Sequence, residues 1–338
     1  MKVLFIGGTG VISSASSKLA LEKGIDLYLL NRGQSVRPAP AGARVLNGDI
    51  RDRQSARDAL EGHDFDVVVN WINFTSEQIE SDLELFRGRT GQYVFISSAS
   101  AYQTPPAALP VTESTLLDNP FWLYSRNKIA CEERLVRAFR EEKFPMTIVR
   151  PSHTYDCTLF PMEGGWTCVD RMLRGQKVIV HGDGTSLWTM THHADFARGF
   201  VGLLGNARTL GDAIHITSDE WLTWNQIFEM VGAAAGVKPD IVHIPSDFIA
   251  AYDPEWGDGL RGDKSHSMVF DNSKIKSLVP GFAATIPFSV GVREVVAWHQ
   301  ADPARQKIDA GFNLRCDDIL AAYRQPGFMT GMNRTNRP

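Results

Sequence analysis

Cysteine is scarce in this chain, with four residues in 338, at positions 131, 157, 168 and 316. Their spacing matches no paired metal-ligand motif and their density is far below that of a secreted disulfide scaffold. Reduced, buried thiols in a cytoplasmic protein are therefore expected. Long apolar runs are missing too: nothing approaches the ~18 residues of a membrane-spanning helix. The opening run Val3-Leu4-Phe5-Ile6 breaks at glycines after one strand's length, too short for a signal peptide, so no membrane association is expected. A basic excess is also absent. The formal net charge of −4 disfavours a general nucleic-acid-binding surface. With no internal repeat or long low-complexity segment, the chain reads as globular, burying one large or two modest cores.

What is present begins at the N-terminus. The apolar run leads into Gly7-Gly8-Thr9-Gly10 and then a helix-like stretch from Val11 to Lys23. A helix start offers unpaired N–H groups and the positive end of its dipole, and glycines let a pyrophosphate come close to the backbone. Gly7, Gly10, Val11 and Ile12 are thus candidate dinucleotide contacts. Such turns also close ordinary strand–helix corners, but N-terminal placement favours the nucleotide. Ser13 stands where a third glycine is expected and is small enough for close helix–strand packing.

A second strand over 26–30 ends in Asn31-Arg32-Gly33, where a dinucleotide site reads the adenosine ribose. No carboxylate stands there to accept from the free ribose hydroxyls of NAD, whereas the Arg32 guanidinium suits the extra phosphate of NADP. Of the two cofactors NADP is favoured, although Arg32 also reads as a solvated loop residue or an adenine stacker. After a third strand over 43–46, Asp49 suits the adenine amino group and Ile50 a ring face; Asp49 equally reads as a helix cap.

Strands over 65–70 and 92–97 continue an alternation with helices that predicts a parallel doubly wound sheet, with ligands at the C-terminal strand ends. Ser97-Ser98-Ala99-Ser100 leaves the fifth strand there. Tyr124-Ser125-Arg126-Asn127-Lys128 opens a helix to about Lys143, and a spacing of four puts phenol and ammonium on one face. A tyrosine titrating near pH ~10 is a poor base at neutral pH unless neighbouring positive charge lowers it. Taken alone, Tyr-x-x-x-Lys usually marks only a shared helical stripe.

The order of nucleotide turn, Ser98, Tyr124 and Lys128 resembles the extended short-chain dehydrogenase/reductases, the NAD-dependent epimerase/dehydratase-like group. Arg150-Pro151-Ser152-His153-Thr154-Tyr155, Gly182-Asp183-Gly184 and Thr191-His192-His193-Ala194-Asp195 extend the likeness over nearly the whole chain. The resemblance implies an α/β Rossmann fold with a smaller C-terminal substrate-binding domain. The nucleotide domain is expected over 1–155, with returns near 189–220 and 268–278; the substrate domain over 156–188 and 221–330; and a polar tail over 331–338. Asp212 to Thr217 is the expected returning strand, Trp221 to Gly232 a helix, and Asp253 to His266 a loop.

In the implied chemistry Ser98 hydrogen-bonds the reacting oxygen, Tyr124 moves its proton, Lys128 holds the nicotinamide ribose and tunes Tyr124, and Pro151 borders the nicotinamide. The implied activity is an NAD(P)-dependent epimerase or oxidoreductase acting at a secondary alcohol or ketone of a sugar, nucleotide sugar or sugar derivative. Dehydratases of the group carry Asp-Glu after the catalytic hydroxyl residue, where this chain has Ala99-Ser100. Reductive epimerases use a cysteine there with a later histidine, and His153 alone does not complete that set. Trp188 occupies the place of a pyrophosphate-gripping arginine; it suits stacking on a sugar or base, or core packing, and shifts weight toward a non-nucleotide substrate. Ser100, His153 and Trp188 are the expected substrate contacts. Asn70-Trp71-Ile72-Asn73 replaces small residues lining the cofactor site in relatives, with Asn70 the expected contact.

His192 and His193 read as structural, with no metal expected, and the Trp221 and Trp224 pair as core or interface. Relatives often pair the Tyr-x-x-x-Lys helix into a four-helix interface, which implies a homodimer. Two alternatives stay open: an NADP-dependent reductase or dehydrogenase of a non-nucleotide hydroxylated molecule, and a non-enzyme that senses nucleotide or binds RNA, since the atypical branch contains plastid RNA-binding relatives.

Overall fold

The opening apolar run becomes β1 (Lys2–Ile6), and residues 3–6 are fully buried because the strand lies between two parallel neighbours with helices over both faces. The computed structural model describes residues 1–324, so the tail expected at 331–338 lies outside the described residues. In chain order, α1 (Val11–Glu22), β2 (Asp26–Asn31) and β3 (Arg44–Asn47) follow. Next come α2 (Arg53–Ala59), β4 (Phe65–Asn70), α3 (Ser76–Phe86) and β5 (Thr90–Ile96). The long α4 (Leu123–Glu142), β6 (Met146–Pro151) and β7 (His153–Tyr155) lead to α5 (Trp166–Leu173), β8 (Lys177–His181), β9 (Leu187–Trp188) and β10 (Met190–His192). After them stand α6 (His193–Val201), β11 (Ala213–Ile216), β12 (Leu222–Thr223), α7 (Trp224–Ala234) and β13 (Asp240–Ile244).

The chain divides into two units. The first comprises Met1–Asp156, Thr189–Trp221 and Met268–Pro287 and holds a parallel seven-stranded sheet in the order β11-β6-β5-β4-β1-β2-β3. Alternation along β1 sends Val3 and Phe5 to a core with Phe196 and Phe200 of α6, and Leu4 and Ile6 to a core with Leu83 of α3 and Leu135 of α4. The strand order reverses between β1 and β4, so the crevice beyond their carboxyl ends, at Gly7 and Trp71, is where such sheets bind ligands.

The second unit comprises Cys157–Trp188, Leu222–Ser267 and the described residues from Phe288. It pairs β9 with β12 antiparallel, and β8 with β13 in parallel beside a core containing Ile179, Ile244, Phe248 and Phe312. The loop expected at 253–266 is largely helical instead: Pro254–Gly259 forms α-helix and Leu260–Lys264 a π-helical turn. Asp253 caps the first helix through the Trp256 N–H, with Pro254 in its first turn. Gly257 marks close packing here, since a Cβ would stand 2.2 Å from that of Ala250. The helix expected from Trp221 starts at Trp224, where Thr223 and Gln226 form a capping box. Trp221 is left 54 % exposed, while Trp224 is buried.

Candidate functional site

Gly7 and Gly8 both take positive φ, at +101° and +96°, and bring the backbone over the end of β1. A Cβ on Gly8 would stand 2.6 Å from Leu29 Cδ2, so only glycine fits. Gly10 caps α1, and its N–H donates to Ser13 Oγ at 2.8 Å, so the serine at the third-glycine position closes the helix start. A groove of about 610 Å³ runs along this turn, lined by Gly7, Gly10, Val11, Ile12, Trp71 and Arg37 among others. Arg37 lies outside the motifs of the sequence. Its guanidinium donates to the Gly10 carbonyl and Ser14 Oγ, both at 3.2 Å, and pairs with the buried Asp156 at 2.6 Å. Nothing local in the β2–β3 connection signals that pairing.

A second cavity of about 330 Å³ continues past Asn31, Arg32, Asp49, Ile50, Ile72 and Phe74. Arg32 is half-exposed and stands 3.8 Å from Asp49. Asn31 Oδ1 accepts locally from the Gly33 N–H. Asp49 does not cap a helix: its Oδ1 accepts from the Arg51 N–H, and Asp52, one turn-forming step later, caps α2 through Gln54 and Ser55. An open glycine turn at a twelve-residue helix start, continuous with residues suited to ribose and adenine, fits a nicotinamide dinucleotide.

Asn70, expected at the cofactor, is held in a buried hydrogen-bond network. It is fully buried, with Nδ2 donating to Asp82 Oδ2 at 2.6 Å and Oδ1 accepting from the Ile72 N–H. The side chain is held in that network and is closed to solvent. Asp82 Oδ2 also accepts from Tyr93 at 2.5 Å and from Asn73 Nδ2 at 2.8 Å. Burial pushes the Asp82 carboxyl up to about 6, against the lowering effect of those three donors. The hub pins the β4–α3 loop, whose Trp71 and Ile72 lie against Gly7.

On α4, Lys128 is 2 % exposed and donates to the carbonyls of Asn73 at 2.7 Å and Ile96 at 2.8 Å. Its ammonium lies over the rings of Phe74, Phe95 and Tyr124, 4.6, 4.8 and 5.8 Å from their centroids. Burial brings it down to about 8, partly opposed by Glu132 one turn further on. Tyr124, half-buried, packs on Trp122 with ring centroids 4.8 Å apart. Ser98 follows β5 and caps the short 3₁₀ turn Ala99–Ala101, accepting from the Ser100 N–H at 3.2 Å.

Ser100, an expected substrate contact, is tied into a cluster of hydroxyls. It is 3 % exposed, and its hydroxyl lies between Ser98 Oγ at 2.9 Å and Ser125 Oγ at 2.8 Å. Pro151 ends β6 and is buried; His153 on β7 is half-buried. Trp188, on β9 of the second unit, is 4 % exposed and packs 5.7 Å from Trp224, which is core packing. His192 ends β10 and its Nδ1 accepts from the Ala194 N–H, while His193 opens α6. Among the described residues, no three His, Cys, Asp or Glu side chains cluster as metal ligands.

The model of the NAD dependent epimerase/dehydratase family matches residues 3–216, well over half of the chain. The chain belongs to that family. As an NAD dependent epimerase/dehydratase family member it is 23% identical over 287 residues to the 2'-dehydrokanamycin reductase of Streptomyces kanamyceticus, covering 83% of this chain and 80% of that protein. It is 23% identical to a putative UDP-glucose 4-epimerase of Methanocaldococcus jannaschii, covering 88% and 97%. It is also 25% identical to a chloroplast stem-loop binding protein of Arabidopsis thaliana, covering 73% and 67%. The UDP-glucose 4-epimerase of Thermotoga maritima, solved with UDP-glucose, shares the fold at a TM-score of 0.72 and 19% identity, covering 89% of this chain and 99% of that one. The family's enzymes use a nicotinamide dinucleotide, and the groove along the Gly7 turn is where this member would hold it.

Proposed function

We propose that the protein is an NAD(P)-dependent epimerase or oxidoreductase acting at a secondary alcohol or ketone of a sugar-like small molecule, through Tyr124, Lys128 and Ser98. The observation that carries this reading is the Lys128 ammonium, buried on α4 one turn from Tyr124 and over its ring. A buried cation beside a phenol favours phenolate, which makes Tyr124 a usable base. Tyr124 takes the hydroxyl proton on oxidation and returns it on reduction, while Ser98 donates to the oxygen where charge develops. A bound nicotinamide supplies the two-electron partner, accepting or giving hydride at the carbon. Two of the three Lys128 N–H donors are spent on carbonyls, leaving one for a ribose hydroxyl.

Ala99 and the buried Ser100 provide no carboxylates for dehydration, which supports epimerase or simple redox chemistry. NADP is the proposed cofactor, because the half-exposed Arg32 lines the cavity suited to the ribose. The buried Trp188 carries no charge to grip a diphosphate, which supports the second reading, a reductase of a non-nucleotide hydroxylated molecule. The acidic balance of the chain weighs against stem-loop binding.

Denaturing freshly purified protein and identifying any released nicotinamide nucleotide by chromatography and mass tests the proposal. Tightly held, stoichiometric nucleotide supports an epimerase that regenerates its cofactor. An empty protein that binds added NADPH reversibly supports the reductase, and a protein that neither holds nor binds either nucleotide refutes both.

A further inference from the structure

We infer that Ser125 and Ser100 form a one-way hydroxyl chain that makes Ser98 a dedicated hydrogen-bond donor to the reacting oxygen, a role that rests on the hydride-transfer reading. Ser125 is fully buried in the first turn of α4, and its hydroxyl donates to Ser100 Oγ at 2.8 Å. A serine hydroxyl has one proton and two lone pairs. That contact leaves Ser100 its own proton, and Ser98 Oγ lies 2.9 Å away to accept it. Ser98 Oγ also accepts from the Ser100 backbone N–H at 3.2 Å. Both its lone pairs are then occupied, and only its proton remains to face outward.

The neighbouring backbone holds this arrangement in place. The Ser100 carbonyl accepts from Asn119 Nδ2 at 2.9 Å, and Asn119 Oδ1 accepts from the Phe121 and Trp122 N–H groups just before α4. One asparagine thus ties the 3₁₀ turn after β5 to the start of the helix that carries Ser125. Each hydroxyl polarises the next, strengthening the terminal donor. No proton passes along the chain and no bond is broken. Its effect is a division of labour: Ser98 is closed to the substrate's proton and stabilises negative charge on oxygen, and proton transfer falls to Tyr124. Ser100 and Ser125 are positioning residues that act through Ser98.

Two measurements test this. In the first, hydride transfer from NADPH to phenanthrenequinone and to a panel of ketoses is followed in Ser100→Ala, Ser125→Ala and the double variant. The expected losses in kcat are roughly tenfold and roughly threefold, with KM and NADPH affinity unchanged, and the double variant is no slower than Ser100→Ala alone. Wild-type kcat in Ser125→Ala, or losses that multiply in the double variant, overturns the chain. A merely structural role would lower the melting temperature without splitting kcat from KM.

In the second, a neutron structure of the deuterium-exchanged protein, free of substrate, locates the hydroxyl deuterons. The Ser100 deuteron directed at Ser98, with the Ser98 deuteron turned away, is the expected result; a Ser98 deuteron directed at Ser100 overturns the inference. If the deuterons lie as expected but the wild type transfers hydride to none of the probes, the hydride-transfer reading falls and the hydroxyl chain stands.

Discussion

The Lys128 ammonium donates to the Asn73 carbonyl oxygen at 2.7 Å, so the cation of the candidate site is tied directly to the loop whose Trp71 and Ile72 line its groove. With Ile96 as second acceptor and three aromatic rings around it, this lysine has little contact with water. Burial brings it down to about 8, so the ammonium is held below that pH and lost above it. Turnover is expected to decline as pH rises through about 8. Lys128→Met is expected to remove that alkaline limb and lower kcat by roughly 100-fold. Rate profiles from about pH 6 to about pH 10 on both proteins provide the check, and an unchanged limb in the variant would point to another group.

Asp82 gives a prediction about stability. Its folded value, about 6, lies above its ordinary value of 3.8, so its contribution is fully present below about pH 4 and lost as pH rises through about 6. At 1.36 kcal/mol per unit the loss is roughly 3 kcal/mol. Asp82→Asn retains an oxygen for Tyr93, Asn70 and Asn73 but does not titrate. Urea unfolding at several pH values is expected to show the variant gaining on the wild type between about pH 4 and about pH 7; parallel curves would remove Asp82 from the account.

Much of this was legible in the sequence, because the strand, the glycine turn, the helix start and the four-residue stripe are each encoded within a few neighbours. The glycines of 253–266 read as loop in the sequence, whereas in the fold Gly257 serves contact with Ala250. Ser100 and Asn70 are buried rather than open because a 3₁₀ turn and a buried carboxylate organise their hydrogen bonds. Arg37 and Asp156 meet only once the chain has folded, and no local pattern announces such a pair.

The proposed preference for NADP rests on Arg32. Its pairing with Asp49 at 3.8 Å, between partly exposed groups, is weak enough for a phosphate to displace. Arg32→Asp is expected to weaken NADPH binding by roughly 10- to 100-fold while leaving NADH within a few-fold, as read by fluorescence titration. Equal weakening of both nucleotides would mean that Arg32 contacts the adenosine without reading the phosphate.

The glycine turn tolerates little. In Gly8→Ala a Cβ would press on Leu29 at a backbone with φ +96°, and the expected cost is roughly 2–4 kcal/mol of stability together with weaker nucleotide binding. Thermal melting with and without NADPH reads both effects. A variant as stable as the wild type would show that the turn relaxes.

The central claim is that the Tyr124 hydroxyl carries the substrate's proton. Its most direct test compares Tyr124→Phe with the wild type in turnover and in NADPH affinity, because the substitution removes one oxygen and keeps the ring packed on Trp122. A loss of turnover of at least about 1,000-fold, with nucleotide affinity within about twofold, is the predicted result. Turnover at the wild-type rate would contradict the mechanism.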